Sequence, residues 1–211
     1  MHVSWHTVAT STSSRRTQEE RSAATRAALL GAAIDCLIEH GYDGTTTGRV
    51  CERANVSRGA HLHHFGTRPM LVAAALGEIA QRRADLFRGQ IEALPRGGDR
   101  VEQALDVIWS WFTGPLFLAS VDLAAAARTD PELRASLAPV ERALSQATLL
   151  ACREMLASGA EDASKDQLIQ MTLGTVRGLA LLPVLQPGNR SAAKQWGFAR
   201  MQLAVLIRAA A

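Results

Sequence analysis

The stretch from Thr45 to Leu71, TTTGRVCERANVSRGAHLHHFGTRPML, constrains the chain more than any other. It spells two short helices joined by a tight turn, then the start of a third. A threonine at 46 or 47 can cap the first helix, because its hydroxyl oxygen accepts from the unpaired N–H groups of a first turn. Val50 and Ala54, four apart, share a face, with Cys51 beside them. Asn55 stands at the corner, where a residue tolerant of positive φ is needed. Ser57 is a second N-cap, opening the run from Arg58 to His64. The spacing turns Val56, Leu62 and Phe65 inward and leaves Arg58, Ala60, His61, His63 and His64 facing out. Such a face is small and basic enough to enter a DNA major groove.

Charge supports this reading through its placement. The whole chain of 211 residues carries only +3, yet Thr47 to Arg68 holds four arginines against one acid. Positive charge therefore concentrates on the helix-turn-helix; a solvated basic face is the plain alternative. Good helix formers dominate from Arg21 onward and β-branched runs are scarce, so the expected fold is all-α with about nine helices. The expected organisation is a flexible arm over 1–20, a helix-turn-helix domain over 21–70 and a second helical domain over 71–211. Cys36, Cys51 and Cys152 are odd in number and far apart, which suits reduced thiols rather than a disulfide framework. The most apolar stretch, Leu179 to Leu185, is too short to span a bilayer and contains Pro183. A cytoplasmic protein without a membrane segment is expected.

Ahead of the helix-turn-helix, Met1 to Glu20 is rich in Ser and Thr, with Arg15 and Arg16 available to touch phosphate. A helix follows from about Arg21 to His40, its stripe formed by Ala27, Leu30, Ala33, Ile34, Leu37 and Ile38. Gly41 ends it, and Asp43-Gly44 turns the chain into the Thr45 stretch. This order of a helix, GYDGTT, VCERANVSRGA, HHF, a basic residue and a long helix resembles the TetR family of bacterial repressors, residue by residue from Arg26 to about Leu76. The resemblance implies that Thr46, Thr47 and Gly48 approach the DNA backbone, where the free N–H groups of a helix start suit an anion. It implies that Ser57, Arg58, Gly59 and Ala60 open the reading helix, and that Arg68 replaces a lysine at the start of the next. The family has leucine then tyrosine where this chain has His61 and Leu62, and the tyrosine hydroxyl typically holds a phosphate. With leucine there, anchoring is expected to pass to His61, His63 or Arg68, with His64 on the same helix. His61 and His64 have no acidic or cysteine partner at ligand spacing, so neither a metal nor another cofactor is expected.

Beyond the motif, Pro69 suits the first turn of a link helix from about Arg68 to Leu94, with Leu71, Ala75, Ile79, Leu86 and Ile91 on its buried side. Pro95 to Asp99 breaks the chain, and Asp99 can cap the helix that follows. Trp109, Phe112, Leu116 and Phe117 crowd around the bend at Gly114-Pro115. The resemblance implies a ligand cavity in this part, and that lining would suit a small apolar or aromatic molecule, with Asp122 and Arg128 as polar anchors; ordinary core packing is the alternative. A long helix runs from Pro131 to about Ala157, and Ser158 to Ser164 reads as a polar loop. From Lys165 to Leu185 one apolar face holds Leu168, Met171, Leu179 and Leu182, another Ile169, Leu173, Val176 and Ala180. Two apolar faces need two covers. Gly174 and Gly178 permit close approach of a neighbouring helix. After Pro187-Gly188-Asn189, a last helix carries Trp196, Phe198, Met201, Val205 and Leu206. A four-helix dimer interface through Gly174, Gly178, Leu182, Phe198, Met201 and Val205 is therefore expected, burial within one subunit being the alternative.

No GxSxG, HExxH or phosphate-cradling glycine loop is present, so no enzyme is expected. The reading is a homodimeric, ligand-responsive repressor on a pseudo-palindromic double-stranded DNA operator. The rival is a helical interaction protein without specific DNA binding.

Overall fold

The computed structural model describes residues 17–94, 100–156, 163–185 and 191–209. Among them every regular element is a helix: α1 (Gln18–Gly44), α2 (Thr47–Ala54), α3 (Arg58–Phe65), α4 (Arg68–Glu92), α5 (Arg100–Phe112), α6 (Pro115–Ala127), α7 (Pro131–Met155), α8 (Ala163–Leu185) and α9 (Ser191–Ala209). The all-α expectation holds.

Caps decide most of the helix starts. The Thr17 hydroxyl accepts from the Glu20 backbone N–H, and the Glu20 carboxylate accepts from the Thr17 N–H at 2.7 Å. This capping box starts α1 three residues before the expected Arg21, so 18–20 belong to the helix and Thr17 to its cap rather than to an arm. The remainder of the expected arm, with Arg15 and Arg16, lies outside the described residues. So do the expected Asp99 cap and the break at Pro187-Gly188-Asn189. Of the expected polar loop before α8, Ala163 and Ser164 are already helical. Gly41, with φ 65°, breaks α1 near its end, and the Thr45 hydroxyl donates back to the Gly41 carbonyl at 2.7 Å.

Packing forms three neighbouring cores. Leu29, Leu30, Ala33 and Cys36 of α1 meet Val50 and Cys51 of α2, Phe65 of α3 and Leu71 of α4. Next along α4, Val72 and Leu76 join Leu37, Tyr42, Leu123, Leu133 and Leu137. The largest core gathers α5, α7, α8 and α9 around Leu105, Ile108, Met155, Val176, Trp196 and Ile207, and takes Ile91 from the far end of α4. One helix thus runs through all three cores. α1 packs against α2, α4 and α6, which rotates its buried face toward Leu29 and Cys36 and leaves Ala27 and Ile38, expected inside, exposed. On α4 the expected Leu86 is 68% exposed. Phe87 turns inward instead and stacks on Trp111 at 3.7 Å between ring centres, in phase with Ile91 four residues on.

The second half is pinned by charge as well as by apolar contact. Arg153 on α7 forms a two-pronged pair with Asp166 on α8, one prong at 2.8 Å, which holds the Asp166 carboxyl below its usual range. Arg208 of α9 reaches Glu102 of α5 at 3.2 Å. No single helix among the described residues is long and apolar enough to cross a membrane.

Candidate nucleic-acid interface

The corner between α2 and α3 is built by three polar residues. Thr46 caps α2, its hydroxyl accepting from the Arg49 N–H at 3.2 Å. Asn55 sits in the left-handed region at φ 53°, the one non-glycine residue with positive φ among those described. Its N–H still reaches the Cys51 and Glu52 carbonyls, which closes α2 and turns the chain. Ser57 then caps α3 by accepting from the Ala60 N–H at 3.2 Å. Each was legible in the sequence.

The phase of α3 was not. His61 and Phe65 point into the first core, His61 with only 2% of its surface exposed, while Leu62 is 63% exposed. The expectation that Leu62 faces in and His61 faces DNA is therefore reversed. Phe65 is inside, and of the two residues whose spacing can share its face, His61 four earlier and Leu62 three earlier, it is His61 that lies beneath it. Its ring lies 6.4 Å from that of Phe65. Its Nε2 is buried without a hydrogen-bond partner, and burial pushes its pKa down. The ring is a neutral member of the core and cannot anchor phosphate.

Arg68 also departs from expectation. Its guanidinium lies 3.9 Å from the centre of the Tyr42 ring and donates to the Tyr42 carbonyl. The charge is folded against the end of α1 instead of being extended toward DNA. The outer surface left by these two corrections consists of Ser57, Arg58, Gly59, Leu62 and His63, all exposed, with Thr47, Gly48, Ala60 and His64 half-buried at its edge. Thr46 is exposed at the start of α2. Among the described residues Arg58 makes no ion pair, and its guanidinium lies beside Gly48, 3.4 Å from where a side chain there would begin. A bare glycine floor, an unpaired arginine and two capped helix starts are what a DNA-reading surface requires.

Comparison with known proteins agrees. Residues 29–75 match the profile of bacterial regulatory proteins of the tetR family. The chain is 32% identical over 173 residues to the HTH-type transcriptional regulator CymR of Pseudomonas putida, covering 82% of this chain and 85% of that protein. This chain belongs to the TetR family. It is a DNA-binding transcriptional regulator and not an enzyme. It is also 33% identical over 124 residues to the HTH-type transcriptional repressor AcnR of Corynebacterium efficiens, covering 58% of this chain and 61% of that protein. A transcriptional regulator from Rhodococcus shares the fold with a TM-score of 0.66 at 23% identity, over 87% of this chain and 96% of that one.

In this TetR-family chain the six residues expected to line a ligand site do not converge. Trp109 and Phe112 border a crevice of about 210 Å³ with Leu118, Ala180 and Val184. Trp109 also stacks on Trp196 at 5.0 Å. Phe117 is buried edge-on against Phe112 at 5.3 Å, and Leu116 is half-buried beside it. Arg128 lies at the rim of a different cavity, of about 310 Å³, floored by Leu76, Leu123, Ala127 and Leu137. Asp122 is engaged elsewhere, its carboxylate accepting the Tyr42 backbone N–H across the break in α1. The Tyr42 hydroxyl meanwhile donates to Asp130 at 3.2 Å. Asp130, which also caps α7 by accepting from the Leu133 N–H, has its pKa lowered, chiefly by that backbone bond. Tyr42 thus ties α1, α4, α6 and the start of α7 together, a junction that sequence reasoning misses. Nothing in the sequence pattern marks it, because the partners lie 80 and 88 residues away.

The expected dimer residues are exposed or half-buried. Phe198, Met201 and Val205 are exposed on one side of α9. Gly174 and Gly178 are exposed on α8, with Leu182 half-buried. A side chain added at either glycine would meet nothing within 4 Å. The other face of α8, with Ile169, Leu173, Val176 and Ala180, is buried in the largest core.

Proposed function

We propose that the protein is a homodimeric repressor whose hold on a pseudo-palindromic operator is weakened by a small apolar or aromatic ligand, acting in the cytoplasm. The observation that carries this reading is the exposed apolar strip of α8 and α9. A strip of that kind needs a cover, and the same strip on a second subunit supplies one with two-fold symmetry. Two symmetric copies of α3 then fall on half-sites about one helical turn apart, roughly 34 Å. A dimer seated there would block access of the transcription machinery to the promoter.

The reading head would lie within 21–70 and the ligand-responsive half within 71–211, with α4 shared between them. The ligand would enter the cavity between α4, α6 and α7, with its apolar body on Leu76, Leu123 and Leu137 and its polar end toward Arg128. Movement of α6 on binding reaches Tyr42 through Asp122, and α4 feels it through Arg68. Linkage requires that a ligand preferring the displaced arrangement weakens DNA binding.

The test is binding to DNA fragments from around the gene over a salt series. Saturable binding to one pseudo-palindromic fragment, by two chains, falling steeply as salt rises, is the expected outcome. Equal weak binding to every fragment would remove the repressor and favour an interaction protein.

A further inference from the structure

The exposed face of α3 carries a side chain that makes no hydrogen bonds. Leu62 is 63% exposed and belongs to none of the three cores. It lies four residues after Arg58 and three after Gly59, so the three stand in one stripe across the two turns of the helix. Gly59 is bare without any internal need to be. Its φ is not positive, and a side chain there would meet only the Ser57 hydroxyl at 3.7 Å, an ordinary contact. The stripe therefore presents a cationic fork, an open step and an apolar knob, in that order, on the helix that enters the groove.

The C5 methyl of thymine is the one methyl group that base edges offer in the major groove; cytosine presents only a bare C5–H at the same place, and the remaining groups of the code are hydrogen-bond donors and acceptors. An isobutyl group placed against a donor or acceptor would strip it of water and give nothing back. We propose that Leu62 is a specificity-determining residue that reads the C5 methyl group of a thymine in each half-site, adjacent to the group held by Arg58. The exchange of places between His61 and Leu62 is then functional: the ring goes into the core so that the leucine can be outside.

The experiment uses the full-length protein and one atom-scale change in the DNA. An operator is selected from a random duplex library, and each thymine is replaced in turn, symmetrically in both half-sites, by deoxyuridine. That replacement removes the methyl group and leaves base pairing and all hydrogen-bonding groups intact. Loss of one buried methyl corresponds to about a fourfold weakening, and to about sixteenfold when both half-sites are changed. One thymine position should show this loss with the wild-type protein and no loss with Leu62→Ala, whose unchanged thermal unfolding would show that it still folds. Selection with Leu62→Ala should relax the base preference at that same position. The proposal is overturned if no deoxyuridine position depends on Leu62. It is equally overturned if Leu62→Ala weakens all sequences alike, which would place the leucine against sugar and phosphate. Failure of the library to yield any enriched sequence would overturn both this assignment and the reading surface on which it rests.

Discussion

Of the helices that leave large apolar side chains in the open, α3 and α9 do so most differently. α3 exposes a single leucine, flanked by Arg58 and His63 and spaced from its helix start by a glycine. α9 exposes a row, with Phe198 64% and Val205 60% exposed and Met201 between them. One apolar group among polar ones suits a partner that is itself mostly polar, with one methyl per base pair at most. A continuous strip suits another helix with the same strip. The difference is one of density, and it is the difference that the proposed nucleic-acid face and the proposed dimer face would each require.

The comparison breaks most visibly at α9. Phe198→Glu with Val205→Glu should split the dimer and weaken operator binding by roughly a hundredfold or more, since the second reading head no longer binds intramolecularly. Sedimentation and gel shift measure both; unchanged sedimentation would remove the strip as the interface. Arg58→Ala on α3 comes next, with a loss of about 1–3 kcal/mol per half-site if it holds a guanine edge. A slope of affinity against salt that falls by about one charge per half-site would instead place Arg58 on phosphate.

His61→Leu sharpens the contrast between the inside and the outside of α3. Removing a buried, unpartnered nitrogen should stabilise the fold by about 1–3 kcal/mol, with operator affinity unchanged because the ring lies inside. The pH dependence has a defined sign. The His61 pKa is lowered from its ordinary 6.5 by burial, so below that pH the unfolded chain takes up a proton that the folded chain resists. Stability should fall as pH drops from about 6.5 toward the folded pKa, and His61→Leu should abolish that part of the slope in melts taken at about pH 7.5 and about pH 5.5. An identical slope in the variant would assign it to other groups. The smallest effect belongs to Leu86→Ser, an isolated exposed leucine on α4, expected to change stability by less than about 0.5 kcal/mol. A larger loss in chemical denaturation would mean that Leu86 is covered in solution.

Why some of this was legible and some was not follows from the range of the forces. Thr46, Asn55 and Ser57 act on backbone groups within a few residues, so their types and spacing carry the whole instruction. The phase of α3 does not follow from local chemistry. Eight residues offer only two inward anchors, and His61 and Leu62, four and three residues before Phe65, can each share its face, so the apolar one invites the wrong rotation. On α8 the repeat gives two apolar faces, but only packing shows that the core takes the one with Ile169, Leu173, Val176 and Ala180. The ligand lining failed for a different reason. α5 and α6 meet at 59° across Gly114, and that angle, set by packing against α1 and α7, sends Phe112 and Arg128 to separate cavities.

The break at Gly41 bears on how such proteins can be recombined. An oxygen of Asp122 sits 2.8 Å from where a side chain at Gly41 would begin, and φ there is 65°. Any other residue would have to evict the carboxylate that fastens α6 to α1. A chimera that grafts this reading head onto another regulator's sensing half would therefore need Gly41, Tyr42 and Asp122 to travel as one inherited unit, although 80 residues separate the last two. Joining the halves at the obvious boundary near Met70 would yield a molecule that still grips DNA and has stopped listening.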